Sequence, residues 1–79
     1  MKITVGNNEY EVEKVVFLGK DEFYIYAKED TLERMENTLH SSLSISDSCP
    51  GNWRGMVMRQ SNRINLILEK IDPEYLIIN

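Results

Sequence analysis

Only one stretch of this 79-residue chain, Leu32 to Leu39, spaces its apolar residues as a helix does. Almost everywhere else they alternate with polar residues or run in blocks of about four, bounded by glycine, asparagine or proline, which is the pattern of strands. The predicted class is therefore α+β: a curved antiparallel sheet of five or six strands with one short helix, in the order βββα(β)ββ(β). The length allows one hydrophobic core, so residues 1–79 are expected to form a single small domain.

Lys2 to Val5 and Glu9 to Val12 alternate on either side of Gly6-Asn7-Asn8, residues that tolerate the positive φ of a tight hairpin. Val15 to Leu18 and Phe23 to Tyr26 flank Gly19-Lys20-Asp21 and predict a second hairpin. The alternation changes phase near Glu13-Lys14, so three strands are expected with a bend or bulge there. Asp30-Thr31-Leu32-Glu33 has the spacing of a capping box, and Leu32, Met35 and Leu39 give a helix of about ten residues one apolar stripe.

Five serines fall between Ser41 and Ser48, with Leu43 and Ile45 in strand register. Cys49-Pro50-Gly51-Asn52 predicts a type II turn. Arg54 to Gln60 and Ile64 to Lys70 predict a last hairpin about Ser61-Asn62-Arg63. Tyr75 to Ile78 follows the break at Asp72-Pro73 as a strand or a docked apolar tail.

This pattern leaves more apolar surface than one helix covers. Phe23 and Ile25 alternate with Tyr24 and Tyr26, Val16 and Leu18 with Val15 and Phe17, and Leu66 and Leu68 with Ile67, so both faces of the sheet are apolar. The second face must be closed by barrel-like curling, by the serine-rich segment, by a second protomer or by a partner protein.

Catalytic equipment is sparse. The single cysteine, Cys49, excludes an internal disulfide, and one histidine excludes a zinc site of Cys and His alone. His40, Asp47 and Cys49 have the residue types of a nucleophile, base and orienter, but no glycine-rich oxyanion loop accompanies them. His40 has a plainer role four residues after Glu36, near a helix C-terminus. No Asp-x-Asp-x-Asp-Gly loop accompanies the carboxylates. The expectation is a protein that is not an enzyme and holds no metal or cofactor.

The net charge is −4, with ten acids and five bases in residues 1–48 and three acids and four bases in residues 49–79. That balance argues against direct nucleic-acid binding, which needs clustered Lys and Arg to displace counterions. No apolar run approaches the ~18 residues of a membrane span, and the start reaches glycine and asparagine before a signal-peptide core forms. A cytoplasmic protein is expected, in the host cell if a virus encodes it.

Glu9, Glu11 and Glu13 are expected to line one face of a strand, either as a solvated row or as a docking row for a basic groove. Tyr24, Tyr26, Trp53 and Arg54 are the residue types enriched at binding hot spots. Trp53 has a competing place in the core under its turn, with the arginines paired to the acidic strands, and no lysine or arginine row flanks the two tyrosines. Together these features predict a protein-binding inhibitor or regulator, of the kind phages and mobile elements use against CRISPR or restriction complexes. Its partner is then a host protein or protein–nucleic acid complex. A homo-oligomeric accessory subunit, with a homodimer as its simplest form, is the alternative, and a small enzyme using Cys49 or the carboxylates the second alternative.

Overall fold

A computed structural model describes residues 1–45 and 51–79. The strands are β1 (Lys2–Val5), β2 (Asn8–Glu11), β3 (Lys14–Phe17), β4 (Glu22–Tyr26), β5 (Trp53–Arg59), β6 (Arg63–Ile71) and β7 (Leu76–Ile78), with helix α1 (Glu29–Ser42) between β4 and β5. They form two antiparallel sheets, one of three strands in the order β2-β1-β7 and one of four in the order β3-β4-β6-β5. The expected single curved sheet of five or six strands is thus corrected: the described residues form two sheets, neither closed nor curled, with one helix inserted among the strands.

Two consecutive peptide groups explain the split. The Val12 N–H donates to the Met1 carbonyl at 2.9 Å, within the first sheet, while the Glu13 N–H donates to the Tyr26 carbonyl at 2.8 Å, within the second. The phase change near Glu13-Lys14 is where the chain passes from one sheet to the other. Lys14 is also in register with Tyr26, so two residues face one, as at a β-bulge.

The hairpins follow their turn chemistry. Val5 pairs with Asn8 around Gly6 and Asn7, and Gly6, alone among the described residues, takes a positive φ, 62°, which a Cβ would penalise. The β3–β4 and β5–β6 hairpins form about the expected loops. Tyr75 to Ile78 supplies a true strand, β7, antiparallel to β1. In β5 the pairing shifts at Arg54/Gly55, and an added Cβ on Gly55 would stand 2.0 Å from the Ile67 carbonyl oxygen, so only glycine permits this close approach of backbones.

The helix differs from expectation at both ends. Its N-cap is Lys28, whose side chain makes no capping bond, and it runs 14 residues, not about ten. The Lys28 carbonyl accepts from the Leu32 N–H at 2.9 Å, closing the first turn before Asp30 could act as a cap. Glu29 and Asp30 instead sit in the first turn, where the helix dipole favours negative charge. Of the serine-rich segment, Ser41 and Ser42 belong to the helix and Leu43 makes one parallel bridge to Trp53, with no further strand among the described residues. The type II turn at Cys49-Pro50 lies outside the described residues.

One core joins all three layers. Ile3, Val5, Tyr10 and Val12 from the small sheet meet Phe23, Ile25, Ile64 and Leu66 from the large one, and Leu32, Met35 and Leu39 from α1. Thr38 ties the helix to the small sheet: its Oγ1 is 2.7 Å from the Tyr10 hydroxyl, and its carbonyl accepts from the Tyr75 hydroxyl at 3.3 Å. No helix among the described residues is long and apolar enough to cross a membrane.

Candidate functional site

Successive strand residues point to opposite faces, so each core-facing row of the large sheet implies an outward row. Phe23 and Ile25 of β4 and Ile64 and Leu66 of β6 face inward. The outward row therefore carries Tyr24 and Tyr26, with Asn65 and Arg63 directly across from them on β6, and Val16 and Lys14 on β3. On β5, Met58 stands opposite Asn65 and Met56 opposite Ile67. No described element lies over this face, and Met56 is 52 % and Met58 38 % exposed. The surplus apolar face expected from the alternation is therefore real, and neither curling nor the described part of the serine-rich segment closes it.

Its centre is aromatic and cationic. The Arg63 guanidinium lies 4.2 Å from the Tyr24 ring centroid and 5.9 Å from that of Tyr26, and its Nη1 donates to the Tyr26 hydroxyl at 3.3 Å. The Lys14 ammonium sits 4.6 Å from the Tyr26 centroid, and the two tyrosine rings meet edge to face at 6.2 Å. A cation over an aromatic face is held by the ring quadrupole, and two such contacts fix the rings in place. Beneath them Asn65 is only 6 % exposed, and its Oδ1 and the Arg63 Nε have no hydrogen-bonding partner.

No cation row flanks the tyrosines along their own strand, as the sequence implies. The cations come instead from the strands on either side. Lys14 can be found in the sequence by counting back from the Gly19-Lys20-Asp21 turn. Arg63 cannot, because the β4–β6 pairing joins segments separated by the helix and β5.

The other expected site residues lie elsewhere. Glu9 and Glu11 are on the outer face of the small sheet, across from Thr4 and Lys2, and Glu11 Oε1 lies 3.1 Å from the terminal amine. Glu13 does not continue their row, because β2 ends at Glu11 and Glu13 sits at the crossing between sheets. Trp53 is 2 % exposed and fills the core, the interior place of the two its turn allowed. Arg54 pairs with Glu69 at 2.9 Å, and Arg59 lies 3.8 Å from Glu36 and 4.0 Å from Glu29 on the helix, so these arginines engage β6 and α1, not the acidic strands.

His40 lies 3.8 Å from Glu36 at the end of α1, as its spacing implied. Asp47 and Cys49, the other two residues of that candidate set, are outside the described residues. Among the described residues no group of three His, Cys, Asp or Glu could hold a metal ion. A hollow lined by Ser44, Asn52, Arg54, Lys70 and Asp72 lies where β5 begins and β6 ends. Burial raises the Tyr75 hydroxyl above the usual phenol pKa, with a hydrogen bond with Ser42 opposing this and the Tyr10 phenol adding to it.

No family model, no curated protein and no solved structure matches the chain.

Proposed function

We propose that the protein is a non-enzymatic regulator that inhibits another protein by docking the outer face of its four-stranded sheet on it. The outward row of Val16, Met56 and Met58 around Tyr24 and Tyr26, which no described element overlies, carries this proposal, because exposed apolar side chains gathered on one sheet face gain by being covered. Tyrosine, methionine and arginine are the residue types enriched at protein interfaces. Arg63 and Lys14 add a preference for a partner that presents a carboxylate beside an apolar patch. Two cations on the tyrosine rings, Arg63 and Lys14, are too few to displace a counterion layer, so the partner is a protein or the protein part of a nucleoprotein complex.

The finer form of the proposal is an inhibitor encoded by a phage or mobile element that acts in the host cytoplasm on a CRISPR or restriction complex. The small size, the charge of −4 and the acidic pair Glu9 and Glu11 support it. Those two carboxylates face away from the core on the other sheet and are assigned to steering the encounter.

The test compares proteins captured from a candidate host lysate by the wild type, by Met56→Glu with Met58→Glu, and by Glu9→Lys with Glu11→Lys. Methionine replacement should weaken capture of a stoichiometric partner more than tenfold through a faster off-rate. Replacement of the glutamates should slow association in a salt-dependent way. Both methionines are exposed, so the fold should lose no more than about 0.5 kcal/mol. Absence of a stoichiometric partner, or capture indifferent to the methionines, overturns the proposal.

A further inference from the structure

We infer that β3 pairs edge to edge with β3 of a second copy of this chain, antiparallel about a two-fold axis at Val16, joining two four-stranded sheets into one. This pairing uses the sheet's edge and does not depend on what docks on its face.

Among the described residues β3 is an edge strand, bonded only to β4. The Leu18 N–H donates to the Glu22 carbonyl at 2.9 Å. Bonds in an antiparallel ladder alternate along a strand, so Val16 also turns its N–H and C=O toward β4 while Val15 and Phe17 turn theirs to the open edge. The side chains agree with the backbone. Val16, Phe17 and Leu18 are consecutive, apolar and exposed, with Phe17 at 64 %. Neighbouring strand residues point to opposite faces, so a partner docked on either face leaves one set in water. A strand laid alongside covers both.

The edge complements itself. With the two-fold axis at Val16, Val15 of each copy faces Phe17 of the other, and these are the residues whose backbone groups point outward, so each such pair exchanges N–H···O=C bonds. Val16 then meets Val16 at a non-hydrogen-bonded site, where side chains approach closest, and Lys14 faces Leu18. No like charges are opposed. Glu13 of one copy lies across from Gly19 of the other, so each end pairs a charge with an uncharged residue. Lys14, the residue type that commonly guards an edge, is drawn over the Tyr26 ring and leaves this one open. Strands this short bury less than the ~1,000 Å² of a stable interface, so the dimer is weak and depends on concentration.

Sedimentation equilibrium of the full chain across a concentration series, with amide hydrogen exchange on the same samples, tests the inference. The mass should rise from monomer toward dimer, and the Val15 and Phe17 amides should gain more than tenfold protection over the series, while Val16 and Leu18 are protected throughout. Phe17→Pro removes an outward N–H and no bond to β4, so it should stay monomeric with an unchanged circular dichroism spectrum. Val16→Lys places two ammonium groups across the axis and should weaken the dimer at low salt, with recovery as salt rises. Should Phe17→Pro fail to fold, Val16→Lys and the exchange pattern decide.

Met56→Glu should leave the dimer intact, so self-association and face docking fail or stand separately. A monomer at the highest concentration with freely exchanging Val15 and Phe17 amides overturns the inference. So does a dimer that survives Phe17→Pro or is lost on Met56→Glu.

Discussion

The indole N–H of Trp53 donates to the Leu39 carbonyl at 2.9 Å, and both residues are buried. Leu39 is one of the last four residues of α1, whose carbonyls have no partner within the helix. The Asn52 N–H donates to the Ser42 carbonyl at 3.1 Å, so the start of β5 satisfies two acceptors of the helix terminus. Trp53→Phe keeps an aromatic ring but leaves the Leu39 carbonyl unsatisfied. It should cost about 1–3 kcal/mol, and Trp53→Ala about 3–5 kcal/mol, read from urea denaturation followed by circular dichroism.

Gly55 lies where the pairing of β5 with β6 shifts register. A methyl group there collides with the Ile67 carbonyl oxygen, which belongs to the backbone and has nowhere to retreat. Gly55→Ala should cost about 3 kcal/mol or more, a large share of the stability of so small a domain. Loss of amide dispersion in a two-dimensional NMR spectrum would register it, and a spectrum like the wild type's would contradict the bulge geometry.

Gly6 combines a positive φ with a contact, since an added Cβ would stand 3.2 Å from the Tyr75 ring. Its N–H also donates to the Tyr75 carbonyl at 2.7 Å, tying the first hairpin to the start of β7. Gly6→Ala should lower stability by about 1–2 kcal/mol, the cost of a left-handed conformation for an L-residue. Thermal denaturation is the measurement.

Burial holds the Tyr75 hydroxyl in its neutral form, with a folded pKa above its unfolded value. The unfolded chain therefore releases this proton first as pH rises. Stability from Tyr75 is complete below the unfolded pKa of about 10 and is lost as pH climbs from there through the folded value, at no more than about 1.4 kcal/mol per pH unit. Tyr75→Phe should flatten the alkaline limb of a stability–pH curve. At neutral pH it should cost about 1 kcal/mol for the bond to the Thr38 carbonyl.

The outer face of the four-stranded sheet is legible in the sequence only in part. Alternation through Phe23 to Tyr26 puts the tyrosines opposite the core, and one helix is too little to cover both faces. Arg63 as their cover is not legible, because its place beside Tyr24 depends on pairing strands far apart in the chain. The expected acidic row is one residue too long, since a strand's end is set by where its N–H groups find partners, and Glu13 finds Tyr26 in the other sheet.

The sequence by itself determined what is local: the loop positions of three hairpins, the apolar stripe of α1 and the change of phase near Glu13, because glycine dihedrals and side-chain periodicity act over a few residues. Tertiary structure alone decided that this phase change separates two sheets, that β7 returns to β1, that Trp53 is buried against Leu39 and that Arg63 lies over Tyr24. Strand partnership between distant segments is chosen by whole-chain burial and hydrogen-bond satisfaction, and no short window of residues carries that choice.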